Sequence, residues 1–215
     1  MTANTTALAP VADGAESMRE VAALAEEHSR GGISNPVLGM ILFIASEIMF
    51  FGGLFAAYFS VRSQSPVWPP PGSVHFDLRA DIMIPATLTA VLITSSVTCQ
   101  LAIWAIRRGD RTAMLRALAV TLALGTLFLA GQLYDYSQLG FGVNDGPFGS
   151  TFYTLTGFHG AHVFAGVVML AVILYRGMAG QFSAKHHDAV EATSLYWHFV
   201  DVVWICLFTT LYLLV

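Results

Sequence analysis

The chain has 215 residues, 55% of them hydrophobic and only 11% charged, with a formal net charge of −4. Soluble domains run at about 45–50% apolar and about 25% charged, which excludes an ordinary soluble fold. A thin negative charge also excludes an electrostatic nucleic-acid interface, so no nucleic-acid partner is expected.

Residues 1–36 are Ala-rich and acidic, with Asp13, Glu16, Glu20, Glu26 and Glu27. They lack the charged, apolar, small-residue order of a cleaved signal peptide, so the first span is expected to direct insertion. This segment is expected to be a polar, partly disordered cytoplasmic tail, with a short surface helix over "ESMREVAALAEEHS". The rest, residues 37–215, carries the apolar spans.

Five stretches, about 37–61, 82–106, 113–136, 152–175 and 193–215, are long enough to cross a hydrocarbon core of about 30 Å. Alternating segments of about ten residues, the mark of a barrel, are absent. The expected fold is therefore an all-α integral membrane protein, a bundle of five transmembrane helices.

Span one, "MILFIASEIMFFGGLF", places Glu47 near its centre. An acidic residue there costs about 2.5–3.5 kcal/mol on insertion scales and faces a bundle interior or water. Two readings stand: a neutral acid hydrogen-bonded to a neighbouring helix or lipid headgroup, or a participant in proton movement. The loop "SQSPVWPPPGSVHFD" follows. Its prolines predict a stiff, extended connection, with Trp68 and Phe76 at the headgroups.

Span two carries Thr87, Thr94 and Thr98 on a hydroxyl-bearing face. Such groups bond back to their own helix or across to another. Its cysteine, Cys99, and Cys206 in span five have no metal-ligand spacing and are expected to be small packing residues. After span two comes "RRGDRTAMLR", with Arg107, Arg108, Arg111 and Arg116. Arg19, Arg30, Arg176 and Lys185 fall on the same side of a five-span chain, against Arg62 and Arg79 on the other. The bias of positive residues toward the cytoplasm predicts a cytoplasmic N-terminus and an outer C-terminus.

Asp135, near the outer end of span three, is expected to reach the interface. The next loop, "GFGVNDGPFGS", reads as a series of turns before span four. Span four contains "TGFHGAHVFAG", with His159 and His162 three apart on one face. Gly157, Gly160 and Gly166 would let a neighbouring helix approach closely. The inner loop holds His186 and His187, a pair expected to be solvated. Span five reads "LYWHFVDVVW" and adds His198 and Asp201, again three apart. Three histidines and a carboxylate on two helices could ligate zinc, iron or copper. They could equally form a hydrogen-bond network between packed helices. The pattern lacks Glu-x-x-His pairs and His-Glu-x-x-His.

Together, "MILFIASEIMFFGGLFAAYF", "WPPPG", "RRGDR", "GSTFYTLTGFHGAHVFAG" and "LYWHFVDVVW", in this order, closely resemble subunit III of haem–copper terminal oxidases of the cytochrome c oxidase type. The resemblance covers about residues 37–215 and is nearest to five-helix bacterial forms, which lack the first helix pair of the seven-helix members. It implies a non-catalytic accessory subunit packed beside subunit I, supporting its stability and proton uptake while the complex reduces oxygen and pumps protons. It implies no haem or copper bound by this chain, those groups belonging to partner subunits, and a structural phospholipid. The implied partners are oxidase subunits I and II, membrane lipids and, in a respiratory supercomplex, a cytochrome bc complex. The implied location is the bacterial plasma membrane.

Glu47, His159, His162, His198 and Asp201 match family positions, and Asp135 stands where many relatives have glutamate. The resemblance assigns these six to an intramembrane polar network or to lipid and proton support, with no catalytic residue. A quinol oxidase subunit and a free-standing membrane metalloenzyme using the histidines are the competing readings.

Overall fold

The computed structural model describes residues 18–19, 34–70 and 82–214. Pro36–Val215 forms one compact unit, separate from the segment Met1–Asn35. Of the surface helix expected in the tail, only Met18 and Arg19 are described, and both are helical. Phe76 and Arg79 lie outside the described residues.

Five helices follow: α1 (Asn35–Ser63), α2 (Met83–Arg107), α3 (Arg111–Gln138), α4 (Gly146–Met178) and α5 (Asp188–Phe208). A π-helical turn, Thr209–Leu213, extends α5. All five are long and apolar enough to span a membrane. Helices α1, α3 and α4 overrun at both ends the apolar stretches read from the sequence, α2 matches its stretch to within one residue, and α5 begins five residues earlier than its stretch. The largest excess is in α4, whose 33 residues reach about 50 Å at 1.5 Å per residue, beyond a core of about 30 Å. Its first turns are "GPFG", expected as loop. Pro147 is pre-organised for a helix start, where its missing N–H is no loss. The turn before it is closed by Asp145, whose Oδ2 accepts from the Gly142 N–H at 2.6 Å.

The α2–α3 connection is short because three residues do two jobs. Gly109 takes φ 79, the left-handed conformation that ends a helix without a Cβ penalty. Asp110 caps α3, its Oδ1 accepting from the Ala113 N–H at 2.9 Å.

Helices α2, α3, α4 and α5 contact one another in a closed ring. The most buried is α5, with 61% of its apolar window enclosed, against 6% for α1. Trp197 of α5 is wedged between two glycines. A Cβ on Gly125 of α3 would lie 2.5 Å from its ring, and one on Gly166 of α4 would lie 2.8 Å away. Gly166 thus admits a close neighbour as expected. Gly157 and Gly160 do not, since a Cβ there would meet nothing within 4 Å. Their helix face points away from the ring.

Only Phe51 and Tyr58 of α1 are buried. This helix stands outside the ring and touches it through side chains. Phe43 stacks on Tyr196, Phe50 meets Phe158 edge-on, and Phe51 meets His162 at 4.9 Å between ring centroids.

Candidate functional site

A polar side chain inside a bilayer must find a partner within the protein. Following each one shows how the helices are tied. Glu47 of α1 meets His162 of α4, with Oε2 and Nε2 2.9 Å apart. The other ring nitrogen, Nδ1, donates to the Phe158 carbonyl one turn back, at 2.7 Å. Both side chains are mostly enclosed. Of the two readings of Glu47, the structure supplies the neighbouring-helix partner, a histidine.

His159 lies one turn from His162 but serves a different interface. It is fully buried, and its Nε2 donates to the Val200 carbonyl of α5 at 3.3 Å. Its ring lies between Trp204 and Phe128, with centroids at 5.0 and 5.8 Å. His198 of α5 points to α2, its Nδ1 2.6 Å from the Ser96 hydroxyl. Asp201 is buried, and Ser96 lies beside it. Neither of its oxygens has a partner at hydrogen-bonding geometry among the described residues.

Six candidate residues therefore do not make one site. Glu47 and His162 come together. His159 and His198 face different helices, each engaged by a protein group. The convergence that a shared metal would require is not formed by these histidines, and the described residues contain no cluster of three or more potential ligands.

Asp135 corrects an expectation. It does not reach out to the interface but is buried, at 4% exposure. It sits within electrostatic reach of Tyr136, Tyr153 and Tyr212. These belong to an aromatic cap at this end, where Phe141 packs on Phe148 and Phe152. The carboxylate is thus enclosed within the protein instead of left in the headgroups. Trp68 is likewise drawn inward. Its indole N–H donates to the Tyr58 hydroxyl at 3.0 Å, and its ring packs edge-on against Phe148.

The threonines of α2 do both things expected of them. Thr87 and Thr94 bond back to Met83 and Ala90 and are exposed. The ties to α5 come from other residues. Trp204 donates to Thr89 Oγ1 at 2.9 Å, and Trp197 donates to Ser95 Oγ at 3.0 Å. Thr98 does reach across, to Thr121 of α3 at 2.8 Å. The missed signal was a pair of matched spacings. Thr89 and Ser95 lie six apart on α2 and Trp197 and Trp204 seven apart on α5, about two turns in each case, and antiparallel helices bring such pairs into register. Of the two cysteines, Cys99 is buried as expected while Cys206 is exposed.

Flanking the α2–α3 turn, Arg107 and Arg111 both have structural partners. Arg107 forms an ion pair with Glu191 at 2.7 Å, and His187 contacts the same carboxylate at 3.1 Å. Expected to be solvated, His187 is held instead at the start of α5. Arg111 donates from Nε to the Gly177 carbonyl at 3.0 Å and from its terminal nitrogen to that of Met178, closing the last turn of α4.

The sequence pattern that defines the family "Cytochrome c oxidase subunit III" matches residues 9–215, beginning inside the N-terminal tail. Cytochrome c oxidase subunit 3 of Thermostichus vulcanus is 39% identical over 193 residues, covering 89% of this chain and 94% of that protein. The probable subunit 3 of Mycobacterium bovis is 42% identical over 179 residues, covering 81% of this chain and 86% of that one. Subunit 3 of the pig, Sus scrofa, is also 42% identical over 179 residues, covering 81% and 67%.

Proposed function

This chain belongs to the cytochrome c oxidase subunit III family, and from that premise we propose that its intramembrane polar residues hold and support the catalytic subunit without handling oxygen. The chain is a multi-pass accessory subunit of a haem–copper oxidase, an oxidoreductase complex. The observation that carries the proposal is the dispersal of its ionisable groups. Glu47 is taken by His162, His159 by a backbone carbonyl and His198 by Ser96. Such groups tie helices together. A ligand set would aim them at one point.

On this reading Glu47, His162, His159, His198, Asp201 and Asp135 keep the bundle in the shape that subunits I and II recognise, and support proton supply to subunit I. Haem and copper reside in those partners. Cytochrome c is the electron donor, the function named for the relatives above. Residues 1–36 form a cytoplasmic tail on a membrane domain spanning 37–215, with the outer end of α5 beyond a bacterial plasma membrane. Structural phospholipid and, through the assembled oxidase, a cytochrome bc complex complete the partners.

Purification through a tag on this chain tests the proposal. Haem-containing subunits I and II should copurify in equal stoichiometry, and their loss on deleting the chain should be slow and turnover-dependent. A tagged chain that comes out alone from solubilised membranes, in a strain with active oxidase, would overturn it.

A further inference from the structure

The four arginines around the α2–α3 turn divide into two kinds. Arg107 and Arg111 are used internally, on Glu191 and on the end of α4. Arg108 and Arg116 are exposed and have no side-chain partner among the described residues. These two unpaired guanidinium groups line the same groove between α2 and α3, a cavity of about 420 Å³.

Below the arginines the groove is apolar. Ala105 and Leu101 form one wall; Ala113, Ala117 and Val120 form the other. Small side chains at three of these five positions leave room between the two helices. Its deepest residue is Thr98, whose hydroxyl is occupied by Thr121. The groove therefore offers no free polar group at its base. From Arg108 to Thr98 is ten residues, a depth of about 15 Å along a helix. That is about half of a hydrocarbon core of about 30 Å, the thickness of one leaflet. Trp104, 49% exposed, is on the same stripe of α2 as Leu101 and Arg108, and an exposed Trp near a helix end marks headgroup level.

We propose that this groove is a binding site for one anionic phospholipid, with its phosphate between Arg108 and Arg116 and one acyl chain laid between α2 and α3. The charge selects an anionic headgroup, and the depth and apolar walls select a single tail. Basic pockets between transmembrane helices bind anionic headgroups in this manner. The site gives a place and a class to the structural lipid proposed above. It depends only on the chain spanning a membrane, so its failure would leave the oxidase assignment standing.

The test uses the full-length chain in mild detergent, titrated with phosphatidylglycerol or with phosphatidylcholine of the same acyl chains, and read by native mass spectrometry. Phosphatidylglycerol should bind more tightly than phosphatidylcholine. Near a membrane surface each arginine contributes about a factor of five. The double variant R108Q/R116Q should therefore weaken phosphatidylglycerol binding by roughly thirtyfold. V120W, which fills the groove from its exposed wall and leaves both charges, should also weaken it, while R176Q should not. Millimolar inorganic phosphate should not displace the lipid. Equal binding of both lipids, an unaffected double variant with native helical content, or full competition by phosphate would each overturn the proposal. So would an acidic segment of another subunit found between Arg108 and Arg116 in the assembled complex.

Discussion

Glu47 and His162 share a single proton. The Phe158 carbonyl can only accept, so Nδ1 of His162 must carry a hydrogen to meet it at 2.7 Å. The 2.9 Å contact between Nε2 and Oε2 then needs one more proton, on the ring or on the carboxyl group. In either form the pair is net neutral. That reconciles an acidic residue and a histidine with the middle of a membrane, where an isolated charge is expensive.

Replacing Glu47 separates holding from proton sharing. In Glu47→Gln the amide can still donate to Nε2, so the helix contact persists without an exchangeable acid. Glu47→Ala leaves the imidazole nitrogen without its partner, a loss of about 1–3 kcal/mol. Gln should assemble as wild type while Ala loosens α1. In both, the initial oxygen-consumption rate should survive in large part and decay faster over many turnovers. Immediate and complete inactivity of the Gln variant, with all subunits and haems present, would make Glu47 catalytic and the accessory role wrong.

Gly166→Ala probes the Trp197 wedge. Its new Cβ would sit 2.8 Å from the indole, and overpacking of this kind costs about 1–3 kcal/mol. The variant should lower the thermal midpoint of the purified protein. Gly160→Ala, where a Cβ meets nothing, should leave it unchanged. Equal midpoints for the two would mean that Trp197 has room to move.

The arginines at the α2–α3 end should differ in worth. Arg111→Gln removes a charge-assisted donor from two terminal carbonyls of α4. It should cost about 1–2 kcal/mol, combining lost capping and lost interaction with the helix dipole. Arg107→Gln breaks an ion pair whose arginine is 56% exposed; pairs of that kind are worth about 0–1 kcal/mol and are screened by salt. Denaturant titrations of both variants at low and high salt would rank them. A larger loss in the Arg107 variant would reverse this ranking.

Topology can be read by labelling. In a background carrying Cys99→Ser and Cys206→Ser, single cysteines in the 107–112 turn and in the 137–151 loop should respond oppositely to an impermeant reagent on intact cells. The second should label and the first should not. The reverse pattern would turn the protein over in the membrane.

Five spans were legible because each carries an uninterrupted apolar stretch, and lipid permits little else. Helix ends were less so, since water and caps, not hydropathy, decide where an exposed turn stops. Residues 146–151 illustrate this: Gly, Pro and Ser suggest a loop, yet Pro147 at a helix start is favourable. Among site residues the sequence marks the unusual ones, Glu47, His159, His162, His198 and Asp201, because ionisable groups stand out in an apolar run. It does not show which of them meet. The Glu47–His162 contact joins positions 115 residues apart, and His159, a turn away with the same chemistry, goes to a carbonyl. Asp135 failed as an interface residue because it is buried near tyrosines brought by other elements, Tyr153 of α4 and Tyr212 after α5, an arrangement with no local pattern.

The ties of α1 have a consequence for the order of assembly. Its buried anchor Tyr58 reaches the Thr210 carbonyl at 3.5 Å, and Arg62 donates to the Leu214 carbonyl at 2.6 Å, each across 152 residues. Its mid-membrane clasp to His162 waits for α4. Synthesis therefore delivers α1 to the bilayer well before these long-range polar partners exist. Until α4 and α5 arrive, Glu47 lacks His162, and the C-terminal end of α1 is held through Trp68 and not by the far end of the chain. Of the five spans, the first to be made is the last to be secured, and the interval between is when an insertion factor would have most to protect.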